Sequence, residues 1–323
     1  MQKELITQKV NSLLESEAVA RVIGWKNGEF FYDKTPYVFT KENASDFCYD
    51  DFCAANLSKY LILDSKNEGK VAVLLKPCDT YSFNELLKEH RIIRENVHVV
   101  GITCDGMIDI EKIRALGIKG ITNVKVDGDD VTVETIYGEK KCSKKEVLLE
   151  KCISCKGKKH FVYDELVGDE GEINAETDKF SEVEKLENMT ADERYEFWRE
   201  QLSKCIRCNA CRNVCPACSC TKCIFDNEQV GVNSKANADT FEENMFHIIR
   251  AFHVAGRCTD CGECSRVCPQ NIPLHLLNRK FIKDANELYG EYQAGEDAEA
   301  KGPLTSYTKE DAEPSIVMER GNA

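Results

Sequence analysis

The chain contains two copies of one cysteine pattern, and this repeat constrains the fold more than any other feature. Cys205 to Pro216 and Cys258 to Pro269 each read C-x2-C-x2-C-x3-C-P. Three closely spaced thiolates can bind three corners of one [4Fe–4S] cube, and in two-cluster ferredoxins the fourth cysteine binds the other cube. A structural zinc site needs only two C-x2-C pairs and leaves the other cysteines without a role. The repeat therefore predicts two [4Fe–4S] clusters and a protein that transfers electrons.

Crossed ligation predicts that each cluster takes three cysteines from one run and the last cysteine of the other run. We call these groups the first ligand set (Cys205, Cys208, Cys211 and Cys268) and the second ligand set (Cys258, Cys261, Cys264 and Cys215). Four arginines lie inside or beside the runs, at positions 207, 212, 257 and 266. Positive charge near a cluster raises its reduction potential, but salt bridges within this acidic chain would explain the same residues equally well.

Composition excludes several classes of function. The formal net charge of −13 argues against nucleic acid, since a phosphate backbone requires a cationic face. No apolar run approaches the roughly 18 residues of a transmembrane helix, and no secretory signal opens the chain. We therefore expect a cytoplasmic protein, in which the abundance of cysteine, 18 residues, indicates metal ligation rather than disulfides. The chain also lacks G-x-G-x-x-G, P-loop and H-E-x-x-H motifs, so no catalytic constellation is recognisable.

The hydrophobic pattern divides the chain into four segments. Two buried-type strands, Val71 to Leu75 and Val97 to Ile102, flank a helix, which is typical of a parallel α/β sheet. The predicted segments are an α/β domain at 1–163, an acidic linker at 164–189, a mainly helical ferredoxin-like dicluster domain at 190–290, and an extended arm at 291–323. The arm is either disordered or docked on a partner.

Local patterns predict three smaller elements. Val124 to Ile136 alternates around an Asp-Gly pair and predicts a hairpin. Thr190 is followed three residues later by Glu193, which predicts a capping box at a helix start. The apolar run Leu61 to Leu63 predicts a short strand.

Four cysteines of the α/β segment are candidates for a third cluster. Cys78 and Cys104 follow the two buried strands, and Cys152 and Cys155 form a C-x2-C pair. Because ligands gather at the carboxyl ends of strands in open α/β sheets, Cys78 and Cys104 are expected to converge. The spacing leaves two interpretations open: a third [4Fe–4S] cluster on all four thiols, or two isolated thiols and a zinc-like pair.

Six cysteines remain outside these groups. Cys218, Cys220 and Cys223 directly follow the first run and either ligate a further cluster or line the cluster pocket. Cys48, Cys53 and Cys142 have no ligand spacing, so we interpret them as buried thiols.

Several stretches resemble a known family. Val73 to Asp79 (VLLKPCD), Val100 to Cys104 (VGITC) and the Cys152–Cys155 pair are similar to the beta subunits of coenzyme F-420 hydrogenases and formate dehydrogenases. Glu193 to Cys223 resembles the dicluster module often fused to that family. Arg257 to Pro273 resembles the same module in the C subunit of heterodisulfide reductases. The similarity covers about residues 70 to 280.

The resemblance implies a third [4Fe–4S] cluster on Cys78, Cys104, Cys152 and Cys155, beside an FAD. The basic loop Lys156, Lys158, Lys159 and His160 would then be the flavin or anion site. Flavin-bearing members have a Gly-Gly pair before this region, whereas this chain has Cys53-Ala54-Ala55-Asn56. Related electron-transfer subunits with the K-P-C-D variant carry clusters only.

Two functions from different classes follow. The first is a non-catalytic electron-transfer subunit that passes electrons through two or three clusters. Its catalytic partner would be of the formate dehydrogenase, hydrogenase or heterodisulfide reductase type, in an anaerobe. The alternative is an FAD-containing oxidoreductase subunit that converts hydride transfer from coenzyme F-420 or NAD(P)H into single-electron steps.

Overall fold

The computed structural model of the chain describes residues 2–174, 178–227 and 240–306, apart from the side chains of residues 240, 242 and 243. The chain divides into two compact units, residues 1–177 and 178–323. Within the described ranges, no helix is long and apolar enough to cross a bilayer. The predicted extended arm at 291–323 is described only as far as residue 306, and the rest of it lies outside the described residues.

The first unit combines strands with short helices. Its described strands are β1 (Arg21–Asn27), β2 (Lys34–Phe39), β3 (Phe47–Cys48), β4 (Val71–Leu75), β5 (Val97–Ile102), β6 (Ile121–Asp127), β7 (Asp130–Thr135), β8 (Gly138–Ser143) and β9 (Glu165–Val167). Its described helices are α1 (Gln2–Glu15), α2 (Leu61–Asp64), α3 (Pro77–Lys88), α4 (Ile110–Ala115), α5 (Lys144–Val147) and α6 (Glu150–Ile153).

The main sheet of the first unit has the order β2–β1–β4–β5–β9, and β3 pairs with β1. The pairs β1–β4, β4–β5 and β5–β9 are parallel, while β2 and β3 run antiparallel to β1. All five side chains of β4 are buried, as is typical of a central parallel strand covered on both faces. The predicted strands β4 and β5 and their parallel direction are therefore confirmed.

The remaining local predictions of the first unit have mixed outcomes. The predicted hairpin is confirmed, because β6 and β7 pair antiparallel and β8 continues them into a separate three-stranded sheet. The predicted strand Leu61 to Leu63 is wrong, since these residues form the helix α2. A short apolar run has no periodicity that separates a buried strand from a buried helical turn.

The described part of the second unit contains helices connected by loops. They are α7 (Ser181–Glu187), α8 (Ala191–Leu202), α9 (Ala210–Val214), α10 (Thr240–His253), α11 (Glu263–Arg266) and α12 (Leu274–Tyr289). The predicted capping box is confirmed at the start of α8: Thr190 Oγ1 accepts from the Glu193 N–H at 3.3 Å, and Glu193 Oε2 accepts from the Thr190 N–H at 2.9 Å. This reciprocal pair satisfies two otherwise unpaired helix-end donors.

Candidate metal centres

The first ligand set surrounds one small cavity in the second unit. Cys205 and Cys208 precede α9, Cys211 lies within it, and Cys268 arrives from the loop after α11. All four cysteines line this cavity. Burial raises the pKa of Cys211, and the neighbouring thiols of Cys268 and Cys208 raise it further. The structure therefore brings these four cysteines together, while ligation by them stays a prediction.

The second ligand set is also gathered in the second unit. Burial raises the pKa of Cys258, Cys261 and Cys264, and that of Cys264 reaches about 11. The thiol of Cys215 adds a further upward shift to the pKa of all three. Cys215 and Cys258 also pack in one hydrophobic cluster. The last cysteine of the first run thus lies among three thiols of the second run.

The two cysteine loops repeat the same backbone conformation. Arg207 and Asn209, two and four residues after Cys205, have φ of 54° and 61°. Asp260 and Gly262 stand at the same offsets from Cys258 and have φ of 54° and 67°. Residues other than glycine rarely adopt a left-handed backbone conformation, and they keep it where the surrounding structure requires it. The two cysteine runs thus share their local backbone conformation as well as their spacing.

The surroundings of both ligand sets fit iron–sulfur clusters. A thiol that binds a metal is deprotonated. Backbone and side-chain N–H groups donate hydrogen bonds to sulfur atoms of both ligand sets and would stabilise this charge. The Arg207 N–H donates to Cys205 Sγ at 3.3 Å, and Asn278 Nδ2 donates to Cys264 Sγ at 3.6 Å. Such hydrogen bonds are one of the factors that set cluster potentials.

Among the described residues, no three His, Cys, Asp or Glu side chains converge as a single bound metal ion requires. The choice between iron–sulfur cubes and zinc therefore rests on the cysteine spacing.

Two buried polar side chains of α10 were missed by the sequence reasoning. Arg250 and His247 are each only 1% exposed, and no hydrogen-bond partner for their side-chain nitrogens lies among the described residues. Burial, with the charges of Arg250 and Arg207, lowers the pKa of His247 to about 3, so its imidazole is neutral. The thiols of Cys264 and Cys211 hold the pKa of Arg250 above its usual range, despite the opposing effect of burial.

The buried guanidinium of Arg250 indicates whether iron–sulfur clusters fit this part of the second unit. Burying an isolated charge costs several kcal/mol unless an opposite charge neutralises it. Thiols of both ligand sets interact electrostatically with Arg250, and an iron–sulfur cluster held by thiolates is anionic. The amphipathic pattern of α10 is the sequence feature that could have revealed the burial of Arg250. Arg250 lies four residues after Phe246 and therefore on the apolar face of the helix.

The four candidate cysteines of the first unit also lie near one another. Cys78 lies in the first turn of α3, Cys104 follows β5, Cys152 lies in α6, and Cys155 follows that helix. Burial raises the pKa of Cys104 to about 12, with upward contributions from Cys152 and Cys155. Cys104 in turn raises the pKa of Cys78, although burial is the larger cause. The carboxyl ends of β4 and β5 thus position the first two thiols.

Hydrogen-bond donors and buried charge accompany this third group. The N–H groups of Gly106 and Met107 donate to Cys104 Sγ and Cys152 Sγ, both at 3.4 Å. Lys76, just before Cys78, is 1% exposed, and its Nζ lies 2.9 Å from Asp79 Oδ2. This resident ammonium lowers the pKa of Cys78, Cys104 and Cys152 against the larger effect of burial.

The residues of the basic loop after Cys155 contact different partners, and a flavin or anion site there stays a prediction. His160 has both ring nitrogens occupied, by Glu170 Oε1 at 3.0 Å and by the Ile102 carbonyl at 3.2 Å. Lys158 pairs with Asp105. Lys156 and Lys159 lie over the neighbouring rings of Tyr81 and Phe161, at 4.6 and 5.6 Å from the ring centres. Of the four predicted residues, only these two lysines share surroundings.

The remaining cysteines have separate surroundings. Cys218 packs beside the second ligand set, Cys223 packs near Phe225, and Cys220 is exposed. Cys142 packs in the core of the three-stranded sheet.

Cys48 and Cys53 are neighbours, since Cys53 Sγ donates to the Cys48 carbonyl at 3.8 Å. The interaction with Cys53 lowers the pKa of Cys48, while burial and the interaction with Cys48 raise the pKa of Cys53.

The four arginines beside the cysteine runs are engaged with the protein. Arg212 pairs with Asp226 at 2.8 Å and Arg266 with Glu263 at 2.7 Å. The other two make contacts of a different kind: Arg257 donates to the Ala217 carbonyl at 2.8 Å, and Arg207 lies 4.1 Å from the centre of the Phe246 ring.

Comparison with known proteins defines the class first. Residues 201–272 match the model of a 4Fe-4S dicluster domain. The same region is similar to a putative ferredoxin-3 of Sinorhizobium fredii, with 32% identity over 79 residues that cover 24% of this chain and 75% of the relative. Together with the two cysteine loops, these matches define an iron–sulfur electron-transfer protein.

Two further relatives are similar over most of the chain. The F420-dependent formate dehydrogenase subunit beta of Methanocaldococcus jannaschii is 26% identical, over 86% of this chain and 88% of the relative. The F420-dependent formate dehydrogenase 1 subunit beta of Methanococcus maripaludis is 27% identical, over 93% and 92%. The chain is thus a homologue of F420-dependent formate dehydrogenase beta subunits.

A solved structure of the F420-reducing [NiFe] hydrogenase complex from Methanosarcina barkeri, derivatised with xenon, contains a chain of more distant likeness. The superposition covers 62% of this chain and 86% of the hydrogenase chain, with 13% sequence identity and a TM-score of 0.39.

Proposed function

We propose that the chain is the electron-transfer subunit of a formate-dehydrogenase-type complex in an anaerobe. Its mainly helical dicluster domain holds two [4Fe–4S] clusters on the first and second ligand sets. The observation that carries this proposal is the crossed gathering of the eight thiols, in which Cys215 and Cys268 each lie with the opposite run. Clusters that share their ligand loops lie close together, which suits transfer of single electrons from one to the other.

The first unit holds a third [4Fe–4S] cluster on Cys78, Cys104, Cys152 and Cys155. Support comes from the mutual proximity of these thiols and from the N–H donors at Gly106 and Met107. The catalytic subunit of the complex supplies or consumes the electrons, and the chain itself transfers them. The beta-subunit relatives are named as parts of formate dehydrogenases, which supports a partner of that type.

The test uses the full chain purified without oxygen. Iron and acid-labile sulfide are counted, and EPR spectra are recorded during a stepwise redox titration. We expect at least two [4Fe–4S] signals that appear and disappear reversibly at low potential. Clusters that cannot be reduced reversibly would refute electron transfer and leave only a structural role for the iron.

A flavin-containing converter is the second candidate, favoured by the relatives' names, which link those proteins to F420. The segment that replaces Gly-Gly offers little to a flavin: the carbonyls of Ala54 and Ala55 accept from Lys151 at 2.7 Å and Lys76 at 3.0 Å. Asn56 Nδ2 donates to Ser82 Oγ at 2.9 Å.

The flavin released by acid from the anoxic protein decides between the two functions. The electron-transfer function predicts no flavin. About one flavin per chain would contradict it and would direct the next assays to reduction of deazaflavin and nicotinamide.

A further inference from the structure

The most unusual side chain in the second unit is the buried guanidinium of Arg250. Its Nε, Nη1 and Nη2 atoms are all buried, and none has a hydrogen-bond partner among the described residues. Other buried arginines are satisfied by neighbours; Arg279, for example, donates to Asp260 Oδ1 at 2.8 Å. Because arginine stays protonated in proteins, the charge of Arg250 requires an anionic counterpart.

The position of Arg250 on its helix indicates what this counterpart is. Phe246 and Val254 lie four residues before and after it, and residues four apart share one face of a helix. Phe246 packs in the same cluster as Cys211 and Cys264. Val254, directly after α10, packs with Cys215 and with Cys258. The guanidinium therefore lies between two contacts that together reach cysteines of both ligand sets.

We propose that Arg250 is a positioning residue whose buried charge acts on both clusters of the dicluster domain and raises their reduction potentials. This inference rests on the proposed ligation by the first and second ligand sets. Each cluster becomes more negative when it accepts an electron, so a permanent neighbouring cation favours the reduced state. The cation also offsets repulsion between the two clusters when both are reduced.

The test is a redox titration of the full chain, purified without oxygen, with three variants. Arg250→Gln removes the charge and keeps a polar side chain. Arg250→Lys keeps the positive charge but places it on a side chain of different shape. Arg199→Gln removes an exposed charge from α8 and is the matched control, since Arg199 pairs with the neighbouring Glu196 on the surface of the described structure.

The two clusters are expected to respond together. In Arg250→Gln the equilibrium constant for reduction should fall about tenfold or more for at least one cluster, which is about 59 mV for one electron. Both sets are expected to respond, because Cys264 and Cys215 of the second set and Cys211 of the first set interact with the guanidinium. Arg250→Lys should remain close to the unmodified protein, and Arg199→Gln should be unchanged.

Cluster content separates the outcomes. If Arg250→Gln takes up no iron while Arg250→Lys is fully loaded, the charge is required to hold the clusters, which supports the proposal. Unchanged potentials in a loaded Arg250→Gln would overturn it. Loss of clusters in both variants would overturn it as well, since lysine retains the charge. Absence of iron from the unmodified chain would instead refute the proposed function.

Discussion

The crossing of ligands between the two cysteine runs can be tested by counting iron in paired variants. Each cube contains four irons and needs all four thiolates of its set. Crossed ligation puts Cys211 and Cys268 on one cluster and Cys264 on the other. The double variant Cys211→Ala/Cys268→Ala should therefore lose roughly four irons per chain, no more than either single variant. Cys211→Ala/Cys264→Ala should lose roughly eight.

Uncrossed ligation changes the iron loss only for pairs that include Cys268, and these pairs make the assay decisive, since Cys211→Ala/Cys264→Ala loses roughly eight irons in either case. If each run held its own cube, Cys211→Ala/Cys268→Ala would lose roughly eight irons and Cys264→Ala/Cys268→Ala roughly four. Iron is measured by plasma emission on anoxically purified protein, and EPR of the reduced state shows which signal remains. Cys142→Ala, in the core of the three-stranded sheet, is the control and should keep all its iron.

Two further predictions concern other parts of the chain. Cys152→Ser should remove roughly four irons and leave both dicluster EPR signals intact, and an unchanged iron count would return this thiol to a structural role. Thr190→Ala should cost α8 about 1 kcal/mol, because the Glu193 N–H loses the Thr190 hydroxyl that accepts its hydrogen bond. Amide hydrogen exchange in the first turn should then speed up by about fivefold, whereas Thr190→Ser should exchange at the original rate; equal rates in both variants would exclude the cap as the cause.

Patterns confined to short stretches of chain predicted much of the fold. The bounds of β4 and β5 follow from continuous apolar runs, since strands buried on both faces need no alternation. The hairpin of β6 and β7 follows from alternation around an Asp-Gly turn. The wrong strand at Leu61 to Leu63 shows the limit of such patterns, because packing decided between two conformations that the short run allowed.

The candidate loop for a flavin shows the same limit in a site. The family resemblance predicted a flavin or anion site at four basic residues, and the structure shows that one of them, His160, lies buried between Glu170 and the Ile102 carbonyl. The sequence around a histidine does not reveal whether its ring nitrogens are available to bind a ligand. Partners from elsewhere in the chain decided that they are not.

The sequence by itself determined the chemistry of the clusters, because cysteine spacing is set by a few consecutive residues and the ligand loop is local. Only the tertiary structure decided which charges surround those loops. Arg250 stands far from both runs along the chain, and packing of the apolar face of α10 brings it among thiols of both sets. The interaction between two charges depends on their distance in space and is strongest in a low-dielectric interior. The residue whose charge offsets that of the clusters could therefore be found only once the position of the helix was known.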